Sequence, residues 1–242
     1  MSVAGRKSKG NLVVVKLSGS LFFSDDLSRV ADSLKTVLNK DKTLKLILVA
    51  GGGGMARQYI HAAGKFGEDQ ATLDEIGIGA SRLNAKVTIS ALGDIALDQV
   101  PATLRELVHA HELAGSNKRV IVVGGLHPGQ STNAVAALVA ERLHARLFVN
   151  ATSVDGVYTK NPEKFKDAKM LETVNVKELS NILAEESVVA GGYDLMDPVA
   201  LKLIQRSKVP TIIMKCEGKL LSDVLLDRTS HGTKLVFGKQ DG

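Results

Sequence analysis

The sequence predicts an α/β fold built on a mostly parallel sheet. Short β-branched apolar runs alternate with stretches of helical period, the pattern of strand–helix–strand units. Several of these runs are continuously apolar, as strands covered on both faces are. The segments that follow the runs are rich in glycine, as tight strand-to-helix turns are. The first strand is read at Leu12–Leu17 and the second at Leu44–Ala50. A third is read at Ala85–Ser90, followed by Val120–Val123, Arg146–Asn150 and Thr211–Met214, with Lys234–Phe237 as a weaker seventh. Between them, Leu27, Val30, Ala31, Leu34, Val37 and Leu38 recur at the spacing of one helix face. Met55–Phe66, Thr72–Asn84, Thr103–Ala114, Thr132–His144, Val176–Ala184 and Val199–Ser207 are predicted helices as well. Crossovers between parallel strands are expected to be right-handed.

Composition narrows the function classes. The 242 residues carry 31 Lys+Arg against 26 Asp+Glu, a net charge of +5 with the charges dispersed. Six Phe, three Tyr and no Trp leave little material for stacking bases, so nucleic-acid binding is not expected. A mild basic excess suits small anions such as phosphates. No apolar run reaches the ~18 residues of a membrane span, so no membrane association is expected. Cys216 is the single cysteine, which excludes an internal disulfide framework and a CxxC metal site. The basic start, MSVAGRKSKG, lacks an apolar core of the signal-peptide kind, and a cytoplasmic protein is expected. The text turns polar after Asn150 (TSVDGVYTKNPEKFKDAK). A leader over residues 1–10, one lobe over 11–150 and a second over 151–242, sharing one sheet, are therefore expected.

Ligands of open parallel sheets bind beyond the carboxyl ends of the strands. Three glycine-bearing loops fall there. They are Ser18-Gly19-Ser20, Gly51-Gly52-Gly53-Gly54, and Gly124-Gly125-Leu126-His127-Pro128-Gly129-Gln130-Ser131-Thr132, each followed by a helical stretch. Glycine lets backbone N–H groups crowd around an anion, and a helix N-terminus adds a favourable dipole. Three such loops on one edge predict several phosphate-sized anions side by side. No GxxxxGK[ST] phosphate loop occurs, because Gly64-Lys65, Gly218-Lys219 and Gly238-Lys239 continue with Phe, Leu and Gln. Gly51-x-Gly53-x-x-Ala56 fits the dinucleotide fingerprint formally, but its acidic partner should close the next strand, whereas Asp74 and Glu75 lie in a helical pattern. The six histidines show no HExxH, and His109 and His111 point to different faces of a helix, so no protein-held metal is expected. Lys16, at the end of the first strand, can place its ammonium among phosphate oxygens. Arg57, just after the glycine run, can clamp a phosphate bidentately.

Val15-Lys16-Leu17-Ser18-Gly19-Ser20 and Gly51-Gly52-Gly53-Gly54-Met55-Ala56-Arg57 resemble the amino acid kinase superfamily. Within it, Asp74-Glu75-Ile76-Gly77-Ile78, Ser81-Arg82-Leu83-Asn84-Ala85, the loop Gly125–Thr132, Asn150–Tyr158 and Met196-Asp197-Pro198 resemble the UMP kinases, in a form nearer the archaeal type. The resemblance covers about residues 11–237. It implies an αβα sandwich around one mainly parallel sheet, with UMP in the N-terminal part, ATP in the C-terminal part, and Mg²⁺ carried on the ATP phosphates. It also implies a homo-oligomer, typically a hexamer. Lys16 would neutralise the transferring phosphoryl group, and Asp197 would orient lysine or metal-bound phosphates. Gly52, Leu126, His127, Pro128, Gly129, Gln130, Ser131 and Thr132 would hold UMP, with Asp74 on the ribose. Gly19, Ser20 and Gly53 would cradle the ATP phosphates, Arg57 would touch phosphates at the junction, and Thr152, Ser153, Tyr158 and Asn161 would surround adenosine. The chain departs from the family's frequent Thr-Ala-Asp-Pro with Thr159-Lys160-Asn161-Pro162, where Asn161 carries no charge. Other readings on the same fold are an isopentenyl phosphate kinase, an amino acid kinase, or a non-catalytic nucleotide- or oxyanion-binding protein.

Overall fold

The computed structural model describes residues 11–115, 117–160, 162, 165–187, 195–228 and 231–237. The expected leader over residues 1–10 and the Asn161 contact lie outside these residues. Seven strands form one sheet: β1 (Leu12–Leu17), β2 (Lys45–Ala50), β3 (Val120–Val123), β4 (Leu147–Thr152), β5 (Thr173–Asn175), β6 (Thr211–Lys215) and β7 (Thr233–Val236). Their order is β3-β2-β1-β4-β6-β7-β5. The first five in that order are mutually parallel. Strand β7 runs antiparallel to β6, and β5 parallel to β7.

The helices are α1 (Asp26–Lys40), α2 (Gly53–Gly64), α3 (Gln70–Leu92), α4 (Leu104–Leu113), α5 (Thr132–Arg142), α6 (Val176–Ser187), α7 (Pro198–Ser207) and α8 (Gly218–Leu225). Two cores separate them into layers. Val13, Val15 and Leu17 of β1 pack under Val30, Leu34 and Leu38 of α1, Ala85 and Leu92 of α3, and Leu221 and Leu225 of α8. The alternate residues Leu12 and Val14 share the opposite core with α5, α7, Leu107 of α4 and Leu179 of α6. This is an αβα sandwich around a mainly parallel sheet, as expected. The alternation is why β1 reads as an unbroken apolar run: both of its faces are covered.

One predicted strand is corrected. Ala85–Ser90 is the last third of α3, which runs on to Leu92. From Ala80 onward its buried residues are Ala80, Ser81, Asn84, Ala85, Thr88 and Leu92, the spacing of a helix face, while Lys86 and Val87 are exposed. The β-branched Val87, Thr88 and Ile89 suggest a strand, but packing on one face overrides propensity. The short edge strand β5 and helix α8 have no counterpart among the predicted elements.

Side chains cap helix N-termini along the chain, including Asn175, which accepts the Glu178 N–H of α6 at 2.8 Å. Asp69 accepts from the Thr72 N–H of α3, Thr103 from Glu106 of α4, Ser131 from Ala134 of α5, and Asp197 from Val199 and Ala200 of α7. The last two caps lie at the sheet edge where the glycine loops gather.

Candidate phosphate-binding site at the carboxyl edge of the sheet

The chain leaves β1 for β2 and β3 on one side and later fills β4 and β6 on the other. The strand order therefore reverses between β1 and β4, and the crevice outside the carboxyl ends there is where such sheets bind ligands. Lys16 and Asn150 are register partners across this junction, and Val49 of β2 pairs with Lys16 on the other side.

The loops after β1 and β2 touch through their backbones. A Cβ on Gly53 would lie 2.6 Å from the carbonyl carbon of Gly19, and one on Gly19 would lie 3.0 Å from that of Gly52. Gly53 also has φ +62°, in the left-handed region. Glycine is thus required at both positions, once for space and once for conformation as well. The Gly51 N–H donates to the Leu17 carbonyl at 3.0 Å. Asn84 of α3 donates its amide to the carbonyls of Gly51 (2.7 Å) and Gly52 (3.2 Å), tying the glycine run down from behind. Ser20 is exposed, and its hydroxyl lies 2.8 Å from that of Ser18. Arg57 is exposed on α2, one turn into the helix that starts at Gly53.

The third loop is fastened to α3. Ser81 Oγ accepts the Gly125 N–H at 2.7 Å, and Arg82 donates to the carbonyls of Gly125 (3.2 Å) and Ala102 (2.9 Å). Gly124 passes so close that a Cβ would lie 2.7 Å from the Arg82 nitrogen. Asp74, exposed on the first half of α3, accepts the Gly129 N–H on Oδ2 at 2.7 Å. Gly129 itself has φ +77°. Within the loop, Gln130 N–H bonds the His127 carbonyl, and the His127 ring nitrogen pairs with the Pro128 carbonyl at 2.8 Å. Leu126 packs against the core on the α5 side, and Thr132 opens α5.

Ser131 joins the two halves of the edge. Its hydroxyl donates to Asp197 Oδ2 while also capping α5. The other Asp197 oxygen accepts the Val199 and Ala200 N–H groups at 2.9 and 3.0 Å. Asp197 is thereby held in one orientation beside the α5 N-terminus. Thr152 is buried at the end of β4, Ser153 is exposed just beyond, and Tyr158 is half-buried with its hydroxyl 3.4 Å from Asp155. Burial and the Asp155 carboxylate push the Tyr158 phenol above its ordinary range.

The structure thus brings Lys16, Gly19, Ser20, Gly52, Gly53, the loop Leu126–Thr132 and Asp197 to one edge of the sheet. Tyr158 sits on the neighbouring β4 extension. Cys216 also lies here. Its N–H donates to the Thr152 carbonyl at 2.7 Å, and burial pushes its thiol up to about 11 despite a bond from the Ser18 N–H and the nearby Lys16 charge. Residues missed in the sequence are polar ones: Asn84, Asn133 and Asn150. Only their spacing onto buried faces could have flagged them. Among the described residues no group of three or more His, Cys, Asp or Glu could hold a metal ion, and no helix is long and apolar enough to cross a membrane.

Comparison with known proteins agrees with this geometry. The model of the amino acid kinase family matches residues 11–215. A uridylate kinase of Sulfurisphaera tokodaii is 41% identical over 206 residues, 84% of this chain and 88% of its own length. One from Methanothrix thermoacetophila is 37% identical over 229 residues, 93% of this chain and 99% of its own. The crystal structure of uridylate kinase from Archaeoglobus fulgidus superposes with a TM-score of 0.81 at 33% identity, covering 93% of this chain and 99% of that one. An aspartate kinase from Synechocystis, at 16% identity and TM-score 0.70, shares the fold over 96% of this chain and 40% of its own. With matches of this extent, over the strands and loops that build the site, the chain belongs to the amino acid kinase family and within it to the uridylate kinases.

Proposed function

We propose that the protein is a UMP kinase, transferring the γ-phosphoryl group of ATP to UMP to give UDP and ADP, a step of pyrimidine nucleotide synthesis. The observation that carries this is the meeting of the Gly19 and Gly53 backbones at the strand-order reversal, next to Lys16. Close backbone approach of this kind leaves N–H groups for phosphate oxygens and no side chain in their way. The relatives at 37–41% identity are uridylate kinases.

The chemistry asks little of the protein beyond position and charge. A phosphate oxygen of UMP is already an anionic nucleophile at neutral pH, so no general base is required. It attacks the γ-phosphorus while the bond to the bridging oxygen of ADP breaks. In this reading Gly19, Ser20 and Gly53 hold the ATP phosphates, and Arg57 faces phosphate at the junction. Thr152, Ser153 and Tyr158 border the adenosine, and the part over residues 151–242 is the ATP lobe. Gly52 and the loop Leu126–Thr132 hold UMP in the lobe over 11–150, with Asp74 at the ribose. Lys16 follows the charge that moves with the phosphoryl group. Asp197, fixed by Ser131 and the α7 N–H groups, orients the groups around it.

Asp197 at this edge suits Mg²⁺, which is commonly held by one or two carboxylates together with substrate phosphates. When bound, Mg²⁺ supplies neutralisation of the phosphate oxygens. The resemblance also supports a homo-oligomer, typically hexameric, working in the cytoplasm.

Incubation with Mg-ATP and a panel of UMP, CMP, AMP and isopentenyl phosphate tests the assignment. UMP is expected to be phosphorylated far better than the others. Equal turnover of isopentenyl phosphate would sink it. Lys16→Ala is expected to lower kcat by the equivalent of about 2.7–4 kcal/mol, the scale of one lost electrostatic donor, with a smaller effect on UMP binding.

A further inference from the structure

Two buried asparagines near the strand-order reversal have no part in the reading above, and they are joined through one main-chain carbonyl. Asn150 of β4 is completely buried and is the register partner of Lys16. Asn133, in the first turn of α5, is 7% exposed. Both donate their side-chain amide to one acceptor, the carbonyl of Leu195, at 2.8 and 3.2 Å. In both, the side-chain carbonyl oxygen is buried with no hydrogen-bond partner. An unsatisfied buried acceptor costs about 1–3 kcal/mol, so two side by side call for a donor that reaches them when the site works. Leu195 stands two residues before Asp197, so the shared bond also anchors the start of α7 to the sheet.

We infer that Asn133 and Asn150 are positioning residues for phosphoryl transfer: their amide groups hold the Leu195 carbonyl, and so Asp197, while their carbonyl oxygens seat the Lys16 ammonium as it tracks the moving phosphoryl group. The inference rests on the role given to Lys16 under the proposed function. Register puts Lys16 and Asn150 next to one another on the α5–α7 side of the sheet, where Val14 and Phe148 of the same strands are buried. An ammonium has three donors and no acceptor, which complements two acceptors that lack donors. Both seats are neutral. A carboxylate in either position would pair with Lys16 and cancel the charge that the phosphoryl group needs. Neutral amides orient the ammonium and leave its charge available to phosphate. A shared anchor for Asp197 keeps the lysine and the aspartate in one frame, although they come from strands and helices far apart in sequence.

A double-mutant cycle tests this, with kcat and both KM values measured for Asn150→Ala, Asn133→Ala, Lys16→Ala and the combinations with Lys16→Ala. Asn150→Ala is expected to lower kcat about 10- to 100-fold, within the range of coupled neighbours, while KM for each nucleotide stays within about 3-fold. In the Lys16→Ala background the same change is expected to lower kcat at least about 3-fold less than in the parent, because the lysine it seats is gone and only its hold on the Asp197 frame remains. Asn133→Ala is expected to behave likewise with a smaller effect, and it carries the test if Asn150→Ala does not fold. Equal losses in both backgrounds would mean a general structural role and overturn the inference. So would an unchanged kcat in either folded single variant. A Lys16→Ala protein with parental kcat would overturn the kinase mechanism itself and the inference with it, whereas a slow Lys16→Ala protein with additive losses overturns the inference alone.

Discussion

Gly53→Ala is the sharpest test of how the phosphate edge is built. Two costs arise together. Gly53 has φ +62°, and an L-residue in the left-handed region is strained by about 1–2 kcal/mol. Its new Cβ would also lie 2.6 Å from the carbonyl carbon and 2.9 Å from the Cα of Gly19, which are backbone atoms and cannot rotate aside. Overpacking of this kind adds about 1–3 kcal/mol. The sum, about 2–5 kcal/mol, is a large share of the ~5–15 kcal/mol that stabilises an ordinary domain. For a chain of this size it corresponds to a fall in Tm of about 4–20 °C. The alternative to losing stability is that the two loops part, and then the N–H groups no longer converge on one phosphate, so ATP affinity falls. Urea unfolding and ATP titration on the same preparation separate the two. Gly64→Ala is the control: that glycine ends α2, and its added Cβ meets nothing within 4 Å. It should keep ATP affinity and be neutral or gain up to about 1 kcal/mol. If Gly53→Ala matched Gly64→Ala in both stability and ATP affinity, the close approach of the two glycine loops would not exist as described.

Asp74→Asn keeps the shape and one acceptor but loses the charge. It is expected to weaken UMP binding by about 1.5–3 kcal/mol, with ATP affinity nearly unchanged and the preference for UMP over dUMP reduced in parallel titrations. Equal discrimination in both proteins would remove Asp74 from the ribose and leave it as the latch on the Gly129 N–H. Arg206→Ala breaks the two-toothed pair with Glu141, whose side chains are 61% and 29% exposed, so denaturant unfolding should show almost no loss of stability; a clear fall in the midpoint would mean the pair is better shielded than its exposure indicates. Cys216 is half-buried with its thiol pushed up to about 11, so it should resist alkylation at pH 8 in the folded protein and react faster on unfolding; fast native labelling would contradict the raised thiol. Because its folded pKa lies above the unfolded value of about 8.5, stability is retained below pH ~8.5 and lost as pH rises towards 11. Cys216→Ala should remove that part of the alkaline slope.

The legibility of this chain in sequence follows burial on two faces or one. β1, β2, β3, β4 and β6 could be read because continuous apolar runs such as Val13-Val14-Val15 and Leu46-Ile47-Leu48 are what strands between two helix layers require. Ala85–Ser90 reads as a strand because its β-branched residues satisfy strand propensity locally, while the contacts that decide for helix reach β2 and β3, distant in sequence. β5 has three residues with a single buried one, too few for a period, and α8 is short. At the site, the glycine loops were legible because several glycines in one turn exceed what a turn alone needs. Asn84, Asn133 and Asn150 were not. Each bonds a main-chain carbonyl between 32 and 62 residues away, and a carbonyl is present at every position, so nothing in the text marks it as a partner.

The same asymmetry bears on how the site is divided between backbone and side chains. The groups available to phosphate at the Gly19–Gly53 contact are main-chain N–H groups, which belong to no residue type and are kept only by the exclusion of every Cβ. Side chains act from behind: Asn84 on the Gly51 and Gly52 carbonyls, Ser81 and Arg82 on Gly125, Ser131 on Asp197. Under the proposed function, a substitution in this second group removes no contact to a phosphate, yet it frees the loop proposed to make that contact. Preorganised dipoles lower a barrier because they need not reorganise as charge moves. Loosening them should therefore slow transfer at saturating nucleotide more than it weakens binding, because a loop that can still close around ATP no longer waits in place for the transition state.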